Sequence, residues 1–486
     1  MNKSDKNVKI NFIYSTIYQM LAIITPLITS PYVSRVLGSE GVGAYSYTYS
    51  IASIFALFGM LGVNNYGNRT IASCCDDKEE RSGIFWNIWF VQLVMTLITV
   101  IIYLIYLTCV CEKRFYVVSY IEMLVVISSM LDINWYFFGM EEFKITVTRN
   151  IIIKILSVIL IITCVKQRAD VWLYTLIVVG CAFVSNLVLW PFLKKEVVFC
   201  RPDLNEAKKH IKPMLVLFIP VVAISIYRKM DKMMLGSMST MVQSGYYENV
   251  EKIINIPSGV ITALGTVMLP RMSYLFAKGE SKQSQRYIRL SMEFVCFLSF
   301  AMAFGIAGIA QEFAPFFFGD EFQDVGILII AISPTIVFSA WANVIRTQYL
   351  IPNHEDKSYV ISVCIGAAVN FVTNYLLISL LGAMGAVIGT VLAELSVMIY
   401  QTYVVRKELE ISLYLKNGIF YLLAGIVMFI TIRLSVKIFT IQSNLILILF
   451  EICLGGMCYL LSCMIYNVCR HPKKVKQLLK EVINRI

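Results

Sequence analysis

The chain has 486 residues, of which 58% are hydrophobic and 15% charged, and its mean hydropathy is +0.72. Soluble domains carry about 25% charged residues, so this composition excludes a soluble globular protein and predicts an all-α polytopic membrane protein. The formal net charge of +11 comes from basic residues dispersed between apolar runs, a pattern of topology signals rather than of a nucleic-acid surface.

Apolar runs long enough to cross about 30 Å of hydrocarbon fall near 10–33, 42–67, 84–108, 116–138, 149–166, 172–193, 213–235, 243–269, 287–310, 323–347, 359–380, 384–405, 417–435 and 444–466. Lys3, Lys6 and Lys9 precede the first, which exceeds the apolar core of a signal peptide and reads as an uncleaved anchor. Fourteen spans put both termini on one side. With the N-terminus inside, the inner segments and span edges hold 29 Lys and Arg residues besides Arg69, and the outer ones only 6: Arg35, Lys113, Arg114, Lys166, Arg168 and Lys437. Positive charge stays inside, so both termini are expected in the cytoplasm and the chain in the cytoplasmic membrane. Loops are short, the longest about twenty residues, which leaves no room for an extramembrane catalytic domain and argues against an enzyme. The basic tail after Cys469 is expected to lie as a short amphipathic segment on anionic lipid.

In the first six runs the embedded charges lean cationic: Arg35, Arg69, Arg149 and Lys154, against Asp132 and Glu122. A hydrated cationic lobe suits an anionic headgroup, and Arg suits phosphate through its planar fork. Arg69, Arg149 and Arg346 also fit as inner-edge anchors. Arg35 stands apart because cations are scarce outside. Tyr45, Tyr47, Tyr49, Tyr246 and Tyr247 fit either an interfacial belt or stacking against sugars.

Runs seven and eight, Pro213 to Pro270, carry the densest intramembrane charge: Arg228, Asp231 and Lys232, then Glu248, Glu251 and Lys252. Each such charge costs about 2.5–3.5 kcal/mol on insertion scales, so partners or water must be near. At about 1.5 Å per residue from Pro213, Arg228 lies roughly 22 Å into the core, where snorkelling to the surface competes with a buried network. Asp231 is expected to neutralise Arg228, and Lys232 to meet Glu248 or Glu251, as a gate. Met230, Met233, Met234, Met238 and Met241 offer repackable surface beside it.

Farther on, Glu394 in run twelve, like Asp132, is a candidate for coupling to a proton or sodium gradient. Asn370 and Asn374 lie one turn apart. No other cofactor is expected: the 13 cysteines form no CxxC, and His210, His354 and His471 are scattered. Asp76-Asp77 reads as part of a solvated charge run. A faint echo links Leu37-Gly38 and Gly43-Ala44-Tyr45 with Leu235-Gly236 and Gly245-Tyr246-Tyr247. The offset of about two hundred residues predicts two parallel six-helix lobes, residues 1–200 and 201–410, followed by 411–486 with the last two helices and the basic tail.

Five stretches together resemble one family: 30–38 (SPYVSRVLG), 41–46 (GVGAYS), 231–236 (DKMMLG), 245–248 (GYYE) and 267–273 (VMLPRMS). The chain is similar to the polysaccharide-repeat (Wzx-type) flippases of the multidrug/oligosaccharidyl-lipid/polysaccharide exporter superfamily. That resemblance implies two pseudo-symmetric lobes in a V, a cationic cavity, and alternating access. It implies export of an undecaprenyl-pyrophosphate-linked oligosaccharide for cell-surface polysaccharide, with membrane lipids, a polymerase and chain-length proteins as candidate partners and no nucleic acid. On that reading Arg35, Arg69, Lys154 and Arg228 are the substrate-binding candidates. Two other classes stay open: a cation-coupled multidrug exporter of the same superfamily, which wants an acidic first-lobe cavity, and a membrane-embedded polymerase or glycosyltransferase, which wants a large outer loop.

The topology is testable. Reporters active only in the cytoplasm should work at Glu481 and within 204–209, and fail within 237–240 and at Asp320; activity at the latter two overturns the orientation.

Overall fold

The computed structural model describes residues 3–74, 77–439 and 443–470, and every regular element among them is helical. The first helix, α1 (Lys3–Met60), contains a break at Gly38, whose φ of 72° and ψ of 176° divide it into two arms. Then come α2 (Val63–Ser73), α3 (Lys78–Cys109), α4 (Tyr116–Leu131), α5 (Asn134–Gly139), α6 (Phe143–Cys164), α7 (Val171–Leu187), α8 (Trp190–Glu196), α9 (Leu204–Met238) and α10 (Met241–Ala277). The remainder is α11 (Ser281–Phe318), α12 (Val325–Ile332), α13 (Pro334–Ile345), α14 (Asp356–Leu381), α15 (Ala383–Val405), α16 (Ile411–Ile438) and α17 (Asn444–Arg470). This is an all-α, multi-pass membrane fold. The basic tail beyond Arg470, and Asp76, lie outside the described residues.

Twelve helical stretches among the described residues are long and apolar enough to span, and the bent pair Leu204–Ile219 and Ile224–Met238 makes thirteen. Counting the two arms of α1 separately reconciles this with fourteen runs. The 58° bend of α9 falls at Pro220 in the sequence. Several runs that read as continuous are broken. Run 42–67 turns at Leu61 and Gly62, both at positive φ; run 116–138 stops at Asp132, and run 323–347 is interrupted at Ser333-Pro334. Apolar composition carries the span, while one turn residue ends the helix. Asp77 caps α3, accepting from the amides of Glu79 and Glu80 at 2.8 and 3.2 Å.

The chain falls into two compact units, residues 1–252 with 374–386, and residues 253–373 with 387–486. Compactness thus groups α9 and the start of α10 with the N-terminal helices, whereas the expected lobes rest on the sequence echo alone. In the first unit, α1 packs against α3, α4, α6 and α9. An aromatic core of Phe85, Trp135, Tyr136 and Phe137 lies beneath α2 and the start of α9, with Phe85 and Trp135 stacked at 5.3 Å. Leu97, Ile98, Ile101, Ile102 and Ile105 of α3 are exposed, a lipid-facing stripe at helical spacing. In the second unit, α11 packs against α12, α13, α16 and α17.

Glycines set the closest approach in the first unit. A Cβ on Gly43 would overlap the carbonyl of Met241, one on Gly245 would overlap that of Ser39, and one on Gly236 would enter the Tyr47 ring. The second arm of α1 therefore lies on the start of α10 backbone to backbone, as small residues allow in membranes. Gly43→Ala and Gly245→Ala should each lower stability by about 1–3 kcal/mol, an overpacking cost. Gly180→Ala, with nothing within 4 Å, should be neutral or slightly stabilising. Melting of the purified variants checks the contrast.

Candidate functional site

The break between α4 and α5 builds one wall of a polar cavity. Gln92 on α3 donates to the carbonyls of Ser129 and Asp132 and accepts from Trp135 Nε1 at 3.2 Å, which pins the turn. Asp132 Oδ1 then accepts from the amide and side chain of Asn134 at 3.0 and 2.6 Å. So oriented, Asn134 Oδ1 accepts from Arg149 Nη2 at 3.0 Å. Arg149 Nη2 also reaches Asn150 at 2.9 Å, and Nη1 reaches the carbonyl of Ser185 at 3.0 Å. Arg149 is 7% exposed, and its guanidinium is held in one orientation by acceptors from three helices.

The cavity has a volume of about 440 Å³. Thr25, Pro26, Thr29, Ser30 and Val33 line it from the first arm of α1, Asn150, Lys154 and Ser157 from α6, Asn186 from α7, and Glu248 and Lys252 from α10. Tyr45 and Tyr174 form an aromatic side, edge to face at 4.8 Å. Its charged lining is three cations, Arg149, Lys154 and Lys252, and one carboxylate, Glu248. A concave site with this lining attracts an anion: Arg149 supplies a fixed positive charge from the wall, its terminal nitrogens held by Asn134, Asn150 and Ser185, and the lysines supply ammonium donors.

Glu248 also belongs to a second cluster. Lys232 Nζ lies 2.6 Å from Glu248 and 2.5 Å from Glu251, and Lys252 Nζ lies 3.5 Å from Glu248. Ser46 Oγ on α1 donates to Glu248 at 2.7 Å, and Asn249 on α10 donates to Ser34 Oγ at 2.8 Å. Lys229, which the sequence reading passed over, donates to Ser53 Oγ at 2.5 Å. Lys232 and Lys252 balance Glu248 and Glu251, and Lys229 stands beside them as a third lysine.

Asp231 does not pair with Arg228. It is buried and accepts from Tyr247 Oη and Asn374 Nδ2, whereas Arg228 is exposed. Three steps of about 100° put the two residues on neighbouring faces, so the spacing permits a pair but does not enforce one, and two buried donors hold the carboxylate elsewhere. Met230, Met233 and Met234 line an apolar cavity of about 610 Å³ with Tyr47, Phe55 and Tyr106.

Among the remaining candidates, Lys154 lines the cationic cavity, and Arg35 does not. Arg35 is exposed and sits about 200° around α1 from Val33, off the lining face. Arg69 is exposed in a separate open pocket with Tyr66, Thr70 and Lys212. Asp132 is engaged locally with Asn134, and Glu122 is buried with Thr48 donating to it at 2.9 Å. Glu394 is half-buried in the second unit. Arg149, which the sequence offers equally as an inner-edge anchor, lies in the cavity wall; the polar Asn150 beside it in an apolar run is the local signal of that position.

Every residue that lines the cavity falls within residues 8–276, which match the model of the family described as polysaccharide biosynthesis protein. A protein named "Putative O-antigen transporter" from Escherichia coli (strain K12) is 21% identical over 366 residues, covering 74% of this chain and 87% of its own length. In fold, the lipid II flippase MurJ in an inward closed conformation matches at a TM-score of 0.73 and 14% identity, over 94% of this chain and 98% of that one. An inward-facing multidrug resistance MATE family transporter of the MOP superfamily matches at 0.62 and 14%, over 84% and 99%. The family match spans more than half of the sequence, and the chain belongs to the polysaccharide biosynthesis protein family.

Proposed function

We propose that this protein is a Wzx-type flippase that moves an undecaprenyl-pyrophosphate-linked oligosaccharide from the inner to the outer leaflet of the cytoplasmic membrane by alternating access. The observation that carries this reading is the cavity of the first unit, lined by Arg149, Lys154 and Lys252 with a single carboxylate. The pyrophosphate engages the three cations, and Tyr45 and Tyr174 offer aromatic faces to the sugars. The names of the flippase and transporter relatives support transport rather than catalysis. A cationic lining disfavours the drug-exporter alternative, whose cationic substrates call for acids.

In cells that depend on this protein, its loss should leave the lipid-linked glycan on the cytoplasmic face. A charge-assisted hydrogen bond to phosphate contributes about 1.5–3 kcal/mol, so Lys154→Gln and Arg149→Gln at normal abundance should cut surface delivery roughly ten- to a hundredfold. Arg149→Lys keeps charge without the fork and should be intermediate. Unchanged delivery by both Gln variants, or export of lipophilic cations from loaded vesicles without glycan transfer, overturns the proposal.

The Lys232 cluster acts in this reading as a gate. Lys232→Gln leaves Glu248 and Glu251 without their shared lysine; breaking a fully buried pair from one side costs about 3–5 kcal/mol, and this half-buried cluster should lose less. Lys232→Gln with Glu251→Gln restores the balance and should recover most of the lost melting temperature while transport stays depressed. Full recovery of transport in the double variant would reduce the cluster to a structural device.

A further inference from the structure

The packing of α11, α16 and α17 in the second unit gathers a charge cluster outside the proposed substrate cavity, which belongs to the first unit. Arg433 on α16 donates to Glu312 Oε2 at 2.6 Å, to Gln311 Oε1 at 2.7 Å and to the Gly308 carbonyl at 3.0 Å, all on α11. Glu451 on α17 faces the same pair. It is 0% exposed, and neither of its carboxyl oxygens has a hydrogen-bond partner.

Glu312 and Arg433 are the charged groups that face Glu451 from α11 and α16; Lys437, one turn beyond Arg433, is exposed. Two carboxyls therefore share one guanidinium, and that guanidinium is already committed to Glu312. With all three ionised the cluster holds one uncompensated negative charge in apolar surroundings, and on Glu451 no donor solvates it. A single proton on Glu451 removes the imbalance.

We propose that Glu451, Glu312 and Arg433 form a binding site for one exchangeable proton, with Glu451 the carboxyl that takes it up. The transfer is simple: a proton passes from hydronium to a Glu451 oxygen and leaves water behind. Arg433, locked on Glu312, keeps the second carboxyl ionised, so the site takes one proton and not two. Tight packing closes the Glu451 side of the site, while Arg433 and Glu312 keep part of their surface exposed. Ile432, next to Arg433, fills the space left by two glycines: a Cβ on Gly308 would stand 2.8 Å from its Cδ1, and one on Gly455 2.6 Å. Release of the proton therefore requires α17 to loosen from α11 and α16, or water to enter between them. All three groups lie about one to two turns from the Phe318, Ile438 and Asn444 ends of their helices, the end that the positive-inside count places outside the cytoplasm.

The test needs no substrate, so it stands or falls apart from the flippase reading. The full-length protein, purified in lipid, is titrated from acid to alkaline pH while the infrared carboxylic C=O stretch is followed. Wild type should show a reversible carboxylic band that vanishes on alkalinisation. Glu451→Gln should lose that band with its melting transition intact, Glu451→Asp should move it, and Glu312→Gln should shift its titration midpoint. Glu394→Gln should leave it unchanged. A spectrum of Glu451→Gln identical to wild type, loss of the band in Glu394→Gln instead, or displacement of the band by sodium at fixed pH would each overturn the proposal.

Discussion

Hydrocarbon offers no hydrogen bonds, and four charged side chains of one unit are nevertheless held largely away from solvent. Lys232 lies between Glu248 and Glu251, and Lys252 reaches back to Glu248. Taking such groups out of water costs several kcal/mol per ion, and the helices are arranged to offset that cost. α9 brings Lys232, α10 brings the two glutamates and Lys252, and α1 brings Ser46 to the same carboxylate. Such a meeting needs close backbones, which Gly43 and Gly245 permit. The glycines and the ion pairs are two halves of one requirement.

The sequence announced the class, the spans and the charged positions of α9 and α10, because spanning length and intramembrane charge are local properties. It was weaker where partners decide. Arg228 and Asp231 have the spacing of a pair, yet Asp231 turns to Tyr247 and Asn374, residues whose proximity no spacing reveals. Arg35 stands out in the sequence by its side of the membrane, and Arg149 fits there as an inner-edge anchor as well as a cavity cation. The distinguishing fact is which face of a helix meets a cavity, and for α1 that face runs through Thr25, Thr29, Ser30 and Val33. Breaks at Asp132 and Ser333 were equally hidden, since one residue ends a helix without disturbing the apolar average around it.

The two kinds of cation in the cavity differ in what they can do. Arg149 is fixed by Asn134, Asn150 and the Ser185 carbonyl, so its position is set before any ligand arrives and little entropy is lost on binding. Lys154 sits on a long flexible stem and can follow a ligand as it moves, whereas Lys252 is tied to Glu248 and Asn249. A fixed guanidinium charge beside a mobile ammonium group suits a ligand that must be recognised and then let go.

Gly38 carries a last consequence. Its φ of 72° with ψ of 176° lies in a region open in practice to glycine alone. A single-nucleotide change in a glycine codon yields only residues with a Cβ, and none of them takes that conformation cheaply. Most positions of α1 can drift through apolar substitutes without losing the span. At residue 38 the chain has no near neighbour in sequence space, and relatives that lack a glycine there must join the two arms of their first helix by a different backbone path.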